Sequence, residues 1–251
     1  MFDRSCGILL PISALPSRYG IGTLGIDARK FVDFLFESGH RYWQMLPNGP
    51  VSYGDSPYQS FSVYAGNPYY IDLSMLIEEG LINRSDCEML DSSGSIIDYE
   101  KQFRLRFSIL RKSFSNAEGM YDSELDDFRN KNRFWLDDYS LYMALKIKNN
   151  NCPWHEWGEK LRLREREAIA LAKLECKDEI KFWEFLQYMF YRQYDGLKCY
   201  ANKKGIRIVG DIPIYPSLDS SDVWANSGIF MMDEKKSSNS CCRCASGLIF
   251  L

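Results

Sequence analysis

The chain has no excess of either charge. Its 251 residues carry 31 Lys and Arg against 34 Asp and Glu, a formal net of -3. The basic residues are scattered among acids, so no positive field is available to hold a phosphate backbone, and nucleic-acid binding is not expected. Long apolar runs are missing too. None approaches the ~20 residues needed to cross a bilayer, and Gly7 to Ile12 after Arg4 is too short for a secretory signal, so neither membrane nor secretion is expected and the cytoplasm is the predicted location. Histidine is scarce. His40 and His155 both lie far from Cys241, Cys242 and Cys244, so the CCxC cluster lacks the fourth ligand of a zinc site and no metal is predicted. Cys6, Cys87, Cys152, Cys176 and Cys199 show no paired spacing and read as ordinary, mostly buried thiols.

What is present is concentrated in Tyr53 to Asp72, YGDSPYQSFSVYAGNPYYID. Five tyrosines, two glycines, two prolines, Asp55, Gln59 and Asn67 break both the helical and the strand period. Such a loop suits a polar, ring-shaped ligand, because tyrosine combines an apolar face with a hydrogen-bonding tip. Carbohydrate fits best. The alternative is an ordered, turn-rich connection whose tyrosines cap a core.

The flanking patterns predict an α/β fold. Ser5 to Leu10 reads as a buried strand stopped by Pro11. Leu24, Ala28, Phe31, Val32 and Leu35 share one helical face, with Gly39 placed to end the helix. Arg41 to Leu46 returns to an extended pattern. Strand, helix, strand is a βαβ unit. From Leu73 to Lys204 the pattern is helical: Trp135, Tyr139 and Met143 form one stripe, and Ile180, Trp183, Leu186, Phe190, Tyr194 and Leu197 another, both predicted as core. Leu161 to Lys177 mixes charges at short spacing and reads as a solvated face. Gly205 to Tyr215 resumes a strand, which places Asp211 at the carboxyl end of a buried strand, where α/β enzymes put their chemistry. A helix or loop cap is the other reading of that aspartate.

Taken in order, the segments GILLPISALPSRYGIGTLG, YWQMLPNGP, YGDSPYQSFSVYAGNPYYID, FWLDDYSLYMALK and GDIPIYPSLDSSDVWAN resemble glycoside hydrolase family 77, the 4-alpha-glucanotransferases or amylomaltases. The resemblance runs from about Arg4 to Asp233. It implies a (β/α)8 TIM barrel of the alpha-amylase type carrying a largely helical insertion. It also implies transfer of alpha-1,4-glucan segments between maltooligosaccharides or starch chains through a covalent glycosyl-enzyme, a retaining reaction that needs two carboxyl groups and no cofactor. The partners implied are maltooligosaccharides and alpha-1,4-glucans. By the same resemblance Tyr58 stacks on the sugar beside the cleaved bond, Asp211 hydrogen-bonds near that subsite, and Tyr53 contacts a more distant glucan unit. Asp55, Ser56 and Gln59 share the loop and either shape the cleft or serve structure alone.

The sequence also departs from the family. The nucleophile, the acid/base and the third carboxylate of family members lie on later strands, and Asp219, Asp222, Asp233 and Glu234 match none of them, so no catalytic residue is assigned. The expected organisation is an incomplete barrel of about three strands. Residues 1–72 form the first βαβ part with the substrate loop, 73–204 the helical insertion and a barrel helix, 205–234 the third strand and its loop, and 235–251 an aberrant tail. From Ser238 the tail SNSCCRCASGLIF can be encoded so that moving the frame by one base yields PIAVAGVPPDLF, which resembles the family's next motif. A frame slip is therefore expected, and with it three terminal cysteines that are debris of translation. Pro216 stands where the family more often has a β-branched residue. The expectation is an inactive copy by family a transferase. The alternatives are a non-catalytic glucan-binding or inert remnant, or, with less support, an amylase-type hydrolase.

Overall fold

The computed structural model describes residues 4–51, 56–91, 96–230 and 232. Tyr53, Asp55 and the tail from 233 onward lie outside the described residues. In chain order the elements are β1 (Gly7–Leu9), α1 (Ile26–Glu37), β2 (Tyr42–Gln44), α2 (Leu73–Glu78), α3 (Tyr99–Lys101), a π-helical turn (Gln102–Arg106), α4 (Phe107–Asn116), α5 (Asp122–Lys148), α6 (Glu159–Arg162), α7 (Arg166–Glu175), α8 (Lys177–Lys203), β3 (Arg207–Val209) and α9 (Ser221–Ala225). Short 3-10 turns fall between several of them. The chain divides into two compact units. One holds Met1–Asn48, Gly66–Leu125 and Leu186–Ile212, and the other Gly49–Ala65, Asp126–Phe185 and Pro213–Leu251.

The first unit carries a parallel sheet in the order β1-β2-β3. The register aligns Ile8 with Trp43 and Trp43 with Ile208, so these three side chains share one face. Trp43 is fully buried, meets Phe31 of α1 edge to face at 4.9 Å and donates its indole N–H to the Leu10 carbonyl at 2.8 Å. Ala28, Val32 and Leu35 are the buried stripe of α1, as their spacing predicts. Gly39 ends the helix with φ +74°, a conformation that costs glycine nothing. Its N–H bonds the Phe36 carbonyl and His40 N–H bonds that of Leu35, the paired bonds of a Schellman cap. Gly205, at φ +75°, repeats the arrangement after α8, with Ile206 N–H on the Ala201 carbonyl. Each of the two helix-to-strand turns thus depends on one glycine.

The strands are shorter than the sequence pattern suggested, and the outer ones are not buried. Leu9 and Val209, aligned with Gln44 on the face opposite Trp43, are 51% and 40% exposed. Apolar composition reports that a strand has faces worth covering, and not that both are covered. Within the same unit the π-helical turn puts two polar side chains in the core. Arg106 is fully buried and donates to Gln102 Oε1 at 2.8 Å and to the Ile71 carbonyl at 2.9 Å, while Gln102 Nε2 donates to the Tyr19 carbonyl at 2.7 Å. Desolvation lowers the Arg106 pKa to about 10, opposed by Asp72, and the side chain stays charged at neutral pH.

The second unit is built on the larger part of α5 and the start of α8. Trp135, Tyr139 and Met143 are buried, as their stripe predicts, and Tyr139 meets Trp183 edge to face at 6.2 Å. In the first unit Leu186, Phe190 and Leu197 continue the buried stripe of α8. Two expectations need correction. Leu161 to Lys177 is not simply solvated: the Leu161 carbonyl accepts the Trp224 indole N–H at 3.0 Å, and Arg164, at φ +60°, stacks 4.2 Å from the Trp224 ring and donates to Asp138. Alternating charges there conceal a cation that covers an aromatic core residue. Cys6, Cys152 and Cys199 are exposed, whereas Cys87 and Cys176 are buried; all five are free thiols. The exposed three lie before a sheet edge, in a loop and on an outer helix face, positions that thiol chemistry does not dictate.

Candidate functional site

The aromatic stretch resolves into parts with different fates. In the first unit Asn67 caps a short turn, Pro68–Tyr70, by accepting from Tyr69 N–H. Tyr69 and Tyr70 are buried, and burial pushes the Tyr70 phenol up to about 12. For these two the core-capping reading holds. Asp72 begins α2: its carboxylate accepts from Met75 N–H at 2.9 Å and from Thr23 Oγ1 at 2.5 Å, and Gln193 clamps its backbone N–H at 2.7 Å. Asp211 also belongs to this unit, half-buried and two residues beyond β3. It caps no described helix, since the next one, α9, is capped by Ser220.

The second unit holds Ser56, Tyr58 and Gln59. Val51 and Ser60 form an antiparallel bridge. Beyond the bridge, Gln59 N–H donates to the Ser56 carbonyl at 3.0 Å, closing a four-residue turn with Pro57 and Tyr58 in its middle. The ring of Pro57 fixes φ at the second position of the turn, where such turns need it. Tyr58 therefore sits at the apex, 46% exposed. Gln59 is exposed and Ser56 half-buried beside it. The structure brings Ser56, Tyr58 and Gln59 together on one turn.

Behind the apex the chain has no regular structure, yet its donors are accounted for. Phe61 N–H bonds the Pro50 carbonyl at 3.1 Å. Ser62 N–H bonds Ser60 Oγ at 3.3 Å, and Tyr64 and Ala65 N–H both reach Ser62 Oγ at 3.1 and 3.3 Å. Val63 N–H takes a partner remote in sequence, Asp222 Oδ2, at 2.9 Å. Buried backbone donors left unpaired would each cost about as much as a lost hydrogen bond, so this accounting holds an irregular segment in one shape. Gly49 permits the close approach, because a Cβ there would lie 2.4 Å from Ser60 Oγ.

The loop after β3 supplies the other side of the arrangement. Ser221 N–H donates to the Phe61 carbonyl at 2.8 Å. Asp219 accepts from the Tyr142 hydroxyl at 2.5 Å and the Lys146 ammonium at 2.6 Å, both on α5, and from Trp154 N–H at 3.2 Å. The Phe61 ring lies 5.0 Å from the Lys146 ammonium. Burial pushes the Tyr142 phenol well above its ordinary value, and Asp219 adds to the effect. Burial likewise raises the Asp222 carboxyl, opposed by the Val63 N–H. Sequence reasoning missed Ser60, Ser62, Asp219 and Asp222 as organisers of this loop. Their bonds span as many as 159 residues, and only the order of the motifs hinted that the segments meet.

The fold of the chain has a counterpart among solved structures. The amylomaltase from Streptococcus agalactiae, in complex with acarbose, superposes with a TM-score of 0.90 at 40% identity, covering 93% of this chain and 48% of that one. Corynebacterium glutamicum amylomaltase shares the fold alone, with a TM-score of 0.69 at 17% identity. The fold is thus an α/β arrangement of the amylomaltase kind, incomplete in its sheet. A profile of the 4-alpha-glucanotransferase family matches residues 10–244. The chain belongs to that family. It is 48% identical over 226 residues to the 4-alpha-glucanotransferase of Clostridium butyricum, covering 89% of this chain and 46% of that protein. It is 42% identical over 236 residues to the enzyme of Thermus thermophilus, at 92% and 47% coverage. The chain spans about half the length of these relatives.

Proposed function

We propose that these residues form the sugar-binding, amino-terminal part of a 4-alpha-glucanotransferase acting on maltooligosaccharides and alpha-1,4-glucans in the cytoplasm. The observation that carries the reading is the Pro57-Tyr58 turn. Of the described tyrosines in the aromatic stretch, Tyr69 and Tyr70 go to the core, Tyr58 and Tyr64 are about half-exposed, and Tyr58 alone of these lies inside the turn closed by the Gln59 N–H on the Ser56 carbonyl. A ring held this way loses little freedom when a sugar stacks on it. The relative solved with acarbose supports a sugar as the ligand.

In this reading, which follows the family resemblance, Tyr58 is a platform for sugar, and Asp211, two residues beyond β3, is a hydrogen-bonding residue for sugar. Tyr53, Asp55, Ser56 and Gln59 complete the loop's contribution. The three parallel strands are the first of a (β/α)8 barrel. Residues 1–72 supply its βαβ start, 73–204 its helical insertion, 205–234 the third strand and loop, and 235–251 a tail read out of frame.

The transferase reaction itself needs a carboxylate nucleophile and a second carboxyl group flanking one glycosidic bond. No residue here matches either, so the 251-residue polypeptide by itself is proposed to grip glucan without cutting it. Incubation with maltotriose followed by chromatography tests this. Unchanged maltotriose is expected. Glucose with longer oligosaccharides would show transfer and overturn the proposal, and glucose with maltose alone would show hydrolysis. A second reading, an inert remnant, draws on the half-exposed Leu9 and Val209, since uncovered apolar strand faces favour association over function.

A further inference from the structure

The Tyr58 turn has neighbours that explain how a segment without helix or strand keeps one shape. Residues 61 to 65 satisfy their N–H groups locally, through Pro50, Ser60 and Ser62, with one exception. Val63 N–H is bonded by a carboxylate from the first turn of α9, Asp222 Oδ2, at 2.9 Å. Asp222 is half-buried and its desolvation raises its pKa, opposed first by the Val63 N–H and then by its own N–H and the Ser62 side chain. Beside it, Ser221 donates through N–H and through its hydroxyl to the Phe61 carbonyl, at 2.8 and 3.1 Å. Ser220 fixes the geometry of both by capping α9 through Val223 N–H at 3.3 Å.

We infer that Asp222 is a positioning residue for glucan binding: it anchors Val63, and through the 60–63 segment holds the Tyr58 turn in its sugar-accepting pose. This rests on the glucan-binding reading given above. The carboxylate touches no sugar in this account. Its effect reaches the ligand only through the 60–65 segment, where it bonds the Val63 amide and the Ser62 side chain.

The test uses the 251-residue chain and two variants, Asp222→Ala and Asp222→Asn. Hydrogen exchange at Val63 and calorimetric titration with maltoheptaose are measured on each. Asparagine retains an oxygen that can accept from Val63, whereas alanine does not. Faster exchange at Val63 and a weaker maltoheptaose affinity, each by about tenfold, are expected in Asp222→Ala, a change that corresponds to one lost hydrogen bond. The amides of α1 should exchange as in the unsubstituted chain. Asp222→Asn should remain near the unsubstituted chain in both readouts, which a requirement for the charge itself would not allow. Equal Val63 exchange in all three proteins overturns the inference, as does Asp222→Asn behaving like the alanine variant. If Asp222→Ala fails to fold, Asp222→Leu, which offers no acceptor, takes its place, and Val63 exchange in it equal to that of the unsubstituted chain overturns the inference. Should the unsubstituted chain bind no maltoheptaose, the glucan-binding reading fails, while Val63 exchange still reports whether Asp222 anchors the segment.

Discussion

At the scale of single residues, two side chains show opposite uses of burial. Tyr58 keeps about half its surface in solvent because Pro57 and the Ser56-to-Gln59 bond spend the chain's freedom on presenting it. Arg106 is withdrawn completely and converts its charge into bonds that close the core around Ile71 and Gln102. The second arrangement is sensitive to truncation. Arg106→Ala leaves the Ile71 carbonyl and the Gln102 amide oxygen without their donors, and a loss of about 2–4 kcal/mol is expected, measured by urea denaturation. Lys30→Ala is the control. It removes an exposed ion pair with Asp27 three residues away on α1, and should change stability by no more than about 0.5 kcal/mol.

At the scale of elements, α5 carries the clearest pH dependence. The Tyr142 phenol is raised in the folded protein, chiefly by burial, so the unfolded chain gives up that proton first as pH rises past 10. Stability from this group is complete below that value and is lost above it. Tyr191 and Tyr70, each pushed by burial to about 12, act in the same direction. A denaturation midpoint that falls steeply above about pH 10 is expected, and Tyr142→Phe should make the fall shallower. The same variant removes the hydroxyl bond to Asp219 and should cost about 1.5–3 kcal/mol at neutral pH. An alkaline decline of unchanged slope in Tyr142→Phe would contradict the assignment.

The elements also show what a sequence discloses. Helix α1 and its end were legible because every signal for them is local: Ala28, Val32 and Leu35 repeat at helical spacing and Gly39 follows at once. The π-helical turn at Gln102–Arg106 was not legible, since its two polar core residues make sense only with the Tyr19 and Ile71 carbonyls facing them. Strand existence was legible and strand burial was not, because Leu9 and Val209 carry the composition of a covered face without the cover. For the candidate site, the loop Tyr53 to Asp72 could be singled out from its composition, and Tyr58 within it only from the family resemblance. Asp222 could not, because its partner lies 159 residues away and nothing in SDVWAN announces an amide to be bonded.

At the scale of the whole molecule, 251 residues reproduce about half of a 4-alpha-glucanotransferase and keep, in recognisable form, the loop that the family resemblance assigns to sugar. The proposed function separates gripping from cutting: it assigns the turn organised by Ser56 and Gln59 to sugar binding, and assigns none of the residues here to the carboxylates of the reaction. Calorimetric titration of the chain with maltoheptaose, compared with its Tyr58→Ala variant, tests that separation most directly. Saturable binding is expected, weakened about tenfold, or 1.4 kcal/mol, when the ring is removed. Absence of binding by the unsubstituted chain, or equal affinity in the variant, would contradict it.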